Sequence, residues 1–282
     1  MIKCISMPKQ YSYFNGKTVP LSQIKINPYD IGFSRGYGVF DVMCTKNGKP
    51  FLLPEHFSRL KRSAELLNLK VPFDEEKYKK IVNKLLKLNN FKESGIRTMI
   101  TGGLSPDAFS VGKETVIVLI EKFKPLPPVL FEKGAKAITL DFKRSNPRAK
   151  ITNYVEAIKN QEKKKKAGAL EILYVKDGKV FEFSTSNVFV VKKGKIKTPK
   201  EGVLFGITRD LTIKLAEKAG FEVVEKEISE KELFSADEVI LTATNKDIVP
   251  IVEIDGRKIG EGKPGKITTK LMDSFSSFTK NY

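Results

Sequence analysis

Along this chain the apolar positions fall first into short alternating runs broken by Asn-Gly pairs. Tyr13-Phe-Asn-Gly-Lys-Thr-Val-Pro20 predicts a hairpin turning at Asn15-Gly16, because a tight two-residue turn needs positive φ at both central residues and Asn-Gly adopts it with least strain. A second predicted hairpin pairs residues 39–45 with 50–53 about Asn47-Gly48. From Pro54 the period lengthens. Phe57, Leu60, Ala64 and Leu67 recur at helical spacing, and residues 74–88 predict a second helix with Asp74 as its N-cap. Residues 96–100 and 115–120 are apolar and β-branched and predict strands.

Phe123-Lys-Pro-Leu-Pro-Pro-Val sustains neither a helix nor a central strand, since proline lacks the N–H that both need. It divides the chain into a small N-terminal α+β domain, residues 1–122, a linker, 123–128, and a larger C-terminal mixed α/β domain, 129–282. In the second domain the pattern predicts strands at 137–140, 171–175, 188–191 and 238–241. Helices are expected at 153–167, at 208–219 entered from Gly206, and at 267–278. No internal repeat is present, and no long disordered segment is expected.

Hydrophobic residues make up 40% of the 282 and charged residues 30%, the balance of an ordinary soluble protein with room for two cores. No apolar run approaches the ~20 residues that cross a bilayer, and Met-Ile-Lys-Cys-Ile-Ser lacks the apolar core of a secretory signal, so a cytoplasmic protein without a membrane partner is expected. Cys4 and Cys44 form no disulfide framework or zinc pattern, and His56, the sole histidine, reads as a packed or helix-start residue; no metal is expected. The net charge of +18 raises a nucleic-acid reading. Against it, only 8 of the 51 basic residues are arginine, the lysines are interspersed with acids, and the run Lys163–Lys166 ends a predicted helix as a solvated face. No nucleic-acid partner is expected.

Candidate chemistry lies in four ordered segments. These are Asp141-Phe-Lys-Arg-Ser-Asn-Pro-Arg-Ala-Lys150-Ile-Thr-Asn-Tyr154, Glu182-Phe-Ser-Thr-Ser-Asn187, Gly206-Ile-Thr-Arg-Asp210 and Leu241-Thr-Ala-Thr-Asn245. Gly206-Ile207-Thr208 opens a helix, and backbone N–H groups with a hydroxyl at a helix start suit a phosphate dianion. Together the segments resemble the class IV, pyridoxal-phosphate-dependent aminotransferases, a family that includes D-amino acid and branched-chain aminotransferases and aminodeoxychorismate lyase. The resemblance extends from Asn15 to the closing helix and implies a two-domain fold type IV enzyme that works as a homodimer.

By that resemblance Lys150 is the Schiff-base lysine and the general acid and base, and Glu182 is the carboxylate beside the pyridine nitrogen. Arg59, Gly206, Ile207, Thr208 and Thr244 correspond to phosphate-binding positions, Tyr154 to a tyrosine that bonds the cofactor's O3′, and Ser186 and Asn187 to supporting residues. Phe183 stands where the family commonly has glycine. The loop Thr101-Gly-Gly-Leu-Ser-Pro106 lacks the arginine and histidine of D-amino acid enzymes, which leaves Arg35 and Arg97 as candidates for a substrate carboxylate. Phe40, Ala243 and Asn245 complete the expected substrate site. The reaction expected is reversible transfer of an amino group between an amino acid and a 2-oxo acid. A D-amino acid substrate is placed first, a branched-chain L-amino acid second, and the lyase reaction third.

Overall fold

The computed structural model describes residues 10–282; Cys4 and the N-terminal segment read above lie outside them. The chain divides into two compact units, Met1–Lys124 with Ala149–Asn153, and Pro125–Arg148 with Tyr154–Tyr282. The first division falls within the proline-rich stretch. Residues 149–153, between two segments of the second unit, belong to the first.

In the first unit β1 (Tyr11–Phe14) and β2 (Lys17–Pro20) form the expected hairpin, with φ of +44° at Asn15 and +93° at Gly16. A short 3₁₀ turn, Leu21–Gln23, and α1 (Ile31–Ser34), capped by Asp30 on Gly32 N–H at 2.7 Å, lead to β3 (Gly38–Lys46). Strand β4 is shorter than the pattern predicts, ending at Pro50 (Lys49–Pro50) rather than at Leu53. Leu52 takes a left-handed conformation, φ +53°, which breaks the strand, and α2 (Leu53–Leu66) starts beside it with Pro54 in the first turn, where a missing N–H is tolerated. Helix α3 (Glu75–Asn89) starts at the predicted cap, Asp74 accepting from Lys77 N–H at 2.7 Å. Strands β5 (Ser94–Thr101) and β6 (Thr115–Lys122) complete an antiparallel sheet of order β2-β1-β6-β5-β3-β4. Ile96 and Ile100 alternate inward with Thr98 and join Leu60, Ala64, Val82, Leu85, Val118 and Ile120 in the core. Phe57, Tyr78 and Phe73 stack within that core at 5.2 and 5.4 Å.

In the second unit α4 (Val129–Glu132) precedes β7 (Ala135–Asp141). The single helix expected over 153–167 is instead two short ones, α5 (Val155–Lys159) and α6 (Gln161–Lys166), separated at Asn160. Lysines 163–166 are not buried, and Lys165 pairs with Glu162 one turn back at 2.7 Å. There follow β8 (Glu171–Lys176), β9 (Lys179–Phe183), β10 (Asn187–Lys192), β11 (Lys195–Thr198), α7 (Ile207–Lys218), β12 (Val223–Glu225), β13 (Ile228–Ser229), α8 (Glu230–Phe234), β14 (Glu238–Ala243), β15 (Asp247–Ile254), β16 (Arg257–Lys258) and α9 (Lys266–Lys280). The sheet runs β12-β11-β10-β14-β15-β7-β8-β9-β13, with β16 beside β15. It is mixed: β7 lies parallel to β15 and β8, and β14 antiparallel to β10 and β15.

Strands β9, β11, β12, β13, β15 and β16 were absent from the expected pattern. The first two follow Asp177-Gly178 and Lys193-Gly194, whose positive φ angles mark hairpin turns. In β15, Pro250 sits opposite Ile240 inside a central strand, a place proline rarely occupies, and so hides the strand from pattern reading. Among the described residues no helix is long and apolar enough to cross a membrane.

Candidate active site

Lys150 is fixed by its backbone within the first unit. Its N–H donates to the buried Ser63 Oγ of α2 at 3.1 Å, and its carbonyl accepts Phe40 N–H from β3 at 2.9 Å. Ile151 bridges Val39, and Thr152 N–H donates to Gly38 O at 3.0 Å. The segment thus lies along β3 like a short extra strand. Its ammonium stands 4.8 Å from the Phe40 ring centroid, a cation–π distance that places an apolar wall beside the amine.

One turn of α2 brings His56 and Arg59 to one side, where both meet Asp41. Arg59 donates through Nε to Asp41 Oδ2 at 2.7 Å and through Nη2 to Oδ1 at 2.9 Å, and His56 Nδ1 lies 2.6 Å from Oδ1. All three side chains are buried. Burial opposes the charge on Asp41, but Arg59 and His56 outweigh it and hold the carboxyl below the usual carboxylate range. Burial pushes His56 the other way, below its ordinary value, and Arg59 and Lys150 add to this against the pull of Asp41. A neutral His56 that donates from Nδ1 satisfies the geometry. Asp41 was missed in the sequence, yet it carried a signal: in β3 it shares a face with buried Val39 and Met43, and an acid on a core face requires a cation.

The two candidate carboxylate-binding arginines differ. Arg97 lies on the β5 face opposite Ile96 and Ile100 and pairs with Glu121 at 3.2 Å. Arg35 is exposed. Its Nε donates to Ala108 O at 3.4 Å and its guanidinium sits 5.0 Å from the Phe109 ring centroid, and among the described residues no carboxylate pairs with it. Phe109 belongs to the loop that begins at Thr101, in which Gly103 takes φ +67° and a Cβ would meet Lys113 O at 1.7 Å.

In the second unit Glu182 is buried at the end of β9 and accepts from Arg144, Leu204 and Asn187. Arg144 donates to Oε1 through Nε at 2.9 Å and also through Nη2, Leu204 N–H to Oε2 at 3.1 Å, and Asn187 Nδ2 to Oε2 at 3.4 Å. Arg144 was missed as well, although it is one of eight arginines and stands six residues before Lys150. Burial works against its charge, but Glu182, and to a lesser extent Tyr154, raise its pKa above the ordinary value, so the guanidinium stays charged. Tyr154 itself is the N-cap residue of α5. Phe183, where the resemblance leads one to expect glycine, ends β9 and packs into the core opposite Leu173, next to a shift in the β8–β9 register.

Helix α7 starts at Gly206, which has no side chain to offer the N–H groups of the first turn. A Cβ on Gly206 would meet Asn187 Oδ1 at 2.1 Å, so a larger residue there would have to displace the Asn187 side chain. Ile207 and Thr208 are buried in that turn. Ser186 and Asn187 follow Glu182 into β10, and Ala243, Thr244 and Asn245 lie at the β14–β15 turn, closed by Lys246 N–H on Ala243 O at 3.1 Å. The turns at 184–186 and 244–246 are joined by a buried carboxylate, Glu171, that the sequence reading did not single out.

Comparison with known proteins follows the same outline. A family described as amino-transferase class IV matches residues 38–254. A relative from Methanocaldococcus jannaschii, named putative branched-chain-amino-acid aminotransferase, is 38% identical over 93% of this chain and 94% of its own. A D-alanine aminotransferase from Bacillus licheniformis is 32% identical over 94% and 97%. Among solved structures, a T.th. branched-chain amino acid aminotransferase with pyridoxamine 5′-phosphate superposes with a TM-score of 0.90 at 27% identity, covering 98% of this chain and 95% of that one. The branched-chain aminotransferase of Thermoproteus uzoniensis with norvaline reaches 0.88 at 28% identity, covering 97% and 96%.

Proposed function

The chain belongs to the class IV aminotransferase family, and we propose on that premise that it moves the amino group of a D-amino acid such as D-alanine to a 2-oxo acid, with pyridoxal phosphate as cofactor. The observation that carries this reading is Lys150, a primary amine whose backbone is hydrogen-bonded on both sides while its ammonium stands over an aromatic ring.

The donors present fit the cofactor. A buried carboxyl paired with an arginine, Glu182, suits a protonated pyridine nitrogen, and the first turn of α7 suits a phosphate dianion. Lys150 would hold the cofactor covalently; Arg59, Gly206, Ile207, Thr208 and Thr244 would hold its phosphate; Tyr154 would bond O3′, with Ser186 and Asn187 in support. When bound, the cofactor supplies an electron-poor ring that stabilises negative charge at the substrate Cα.

The rest is done by the chain's own residues. Lys150 Nζ would take the proton from the substrate Cα and deliver it to C4′ of the cofactor, the acid–base task for which a primary amine next to an apolar wall is suited. Arg144 donates to Glu182 Oε1 and sets a positive charge beside that carboxyl. Asp41 fixes the plane of the Arg59 guanidinium, so its remaining N–H groups point in one direction. Arg35, the arginine of the candidate pair without a carboxylate partner among the described residues, is the receiver of the substrate carboxylate, with Phe40, Ala243 and Asn245 completing the substrate site. Arg97 is occupied by Glu121 and serves this purpose less well.

A branched-chain L-amino acid is the second reading, favoured by the Phe40 ring beside Lys150. A homodimer accords with the exposed Tyr29, Phe33, Leu104 and Phe109 on adjoining loops of the first unit, which a second copy would cover. Light scattering of the purified protein tests that assembly.

The activity is tested by following the visible band of the cofactor-loaded protein on adding D-alanine, with L-leucine in parallel. Loss of the band with D-alanine alone supports the first reading, and loss with L-leucine alone replaces it by the second. Release of pyruvate from aminodeoxychorismate without either loss would make the enzyme a lyase. Turnover undiminished in Lys150→Ala protein would overturn the whole assignment.

A further inference from the structure

Glu171 opens β8, and its carboxylate is only 3% exposed. A buried carboxylate is costly unless it is paired and fully hydrogen-bonded. Ser184 Oγ donates to Oε2 at 2.6 Å, Thr185 Oγ1 donates to Oε1, and Ser186 Oγ approaches Oε1 at 3.3 Å. The counter-charge comes from a separate turn. Lys246 Nζ, on a side chain 11% exposed, lies 2.8 Å from Oε1. The same ammonium donates to Thr185 Oγ1 at 2.8 Å and approaches Ser186 Oγ at 3.4 Å. Burial works against the charge of Glu171, but Lys246 and the hydroxyls outweigh it, and the carboxylate is held below its ordinary range.

Each partner has a defined place. The hydroxyls belong to the turn that links Glu182 to Asn187, and the lysine belongs to the turn that contains Thr244 and Asn245. No backbone hydrogen bond runs between residues 184–186 and 244–246 among the described residues, although strands β10 and β14 pair just beyond, from Asn187↔Thr242. The two tips therefore extend past the end of the ladder, and side chains alone tie them together.

We propose that the Glu171–Lys246 ion pair is a positioning device that locks these two turns in register, setting Thr244 and Asn187 for the cofactor, with neither Glu171 nor Lys246 touching it. The inference rests on the cofactor assignment above. The pair acts through geometry, so removing one charge should do more harm than removing both: a lone buried charge draws in water or reorganises its turn, whereas a neutral pair of similar volume does not.

The test is the dissociation constant of pyridoxal phosphate, from titration of the apo protein followed by the absorption of the bound cofactor. Lys246→Met should weaken binding about tenfold or more, Lys246→Arg should retain most of the affinity, and Lys246→Met with Glu171→Gln should recover much of the loss. Melting of the apo forms is measured alongside. If Lys246→Met gives no folded protein, Thr185→Val, which removes the hydroxyl shared by the two charges, carries the test with a smaller expected loss. Unchanged affinity in the folded single variants overturns the proposal. So does a double variant as weak as Lys246→Met, since the loss would then lie in the missing side chains and not in their pairing. Failure of the unsubstituted protein to bind pyridoxal phosphate removes the cofactor assignment itself, a result separate from either.

Discussion

Phe40 and Lys150 are joined twice: the Phe40 N–H donates to the Lys150 carbonyl at 2.9 Å, and the Lys150 ammonium stands 4.8 Å from the Phe40 ring centroid. One residue of β3 therefore contacts both the backbone and the side chain of the lysine, whose N–H is held by Ser63 of α2. Lys150→Ala should lower the rate of amino-group transfer by about four orders of magnitude or more, as expected for loss of a group that acts at the reacting atoms. Phe40→Leu keeps the backbone bond and loses the ring. It should reduce kcat/KM about tenfold, and steady-state kinetics of the two variants separate the contributions.

The Asp41–Arg59 pair is bidentate with both side chains buried. Asp41→Asn leaves a buried guanidinium with half of its partner's charge-assisted bonds gone. A destabilisation of about 3–5 kcal/mol is expected from breaking a buried pair on one side. Urea unfolding of the apo protein measures it; a loss below about 1 kcal/mol would mean that solvent reaches Arg59.

His56 sets a pH dependence of stability. Burial, first, holds its imidazole below the ordinary value of 6.5, with Asp41 opposing and Arg59 and Lys150 reinforcing the shift. As pH falls below about 6.5 the unfolded chain takes up a proton that the folded chain does not, so the stability present above that pH declines with acidification. The apo protein should melt at lower temperature at about pH 5.5 than at about pH 7.5, and His56→Gln should flatten that slope. Asp41, whose carboxyl is lowered, contributes its own loss only below the ordinary carboxylate range, well clear of this window.

Glu182→Gln preserves shape and the Leu204 bond but removes the charge that Arg144 faces. Cofactor binding should be largely kept while the rate of amino-group transfer falls about 100-fold or more, because the pyridine nitrogen loses its anionic partner. A single-turnover measurement with the preferred amino acid reads the rate apart from product release. An unchanged rate would assign Glu182 to folding alone.

Much of the molecule was legible locally. Asn15-Gly16 and Asn47-Gly48 marked real hairpins and Asp74 marked the start of α3, since turn geometry and capping act over a few residues. The same locality fails for β15, where Pro250 argues against the strand that its neighbours on both sides nonetheless complete.

What the sequence by itself determined was the main strands and helices of the first unit and the family, carried by Lys150, Glu182, Gly206-Ile207-Thr208 and Thr244. What only the tertiary structure decided was how those residues are held. Residues 149–153 attach to β3 and α2, Arg59 is oriented by Asp41 from 18 positions away, Glu182 is met by Arg144 from 38 away, and Glu171 finds Lys246 in another turn. The physical reason is that a buried charge must be matched, yet which of the chain's many acids and bases matches it depends on sheet register and side-chain direction, which emerge only when distant segments pack.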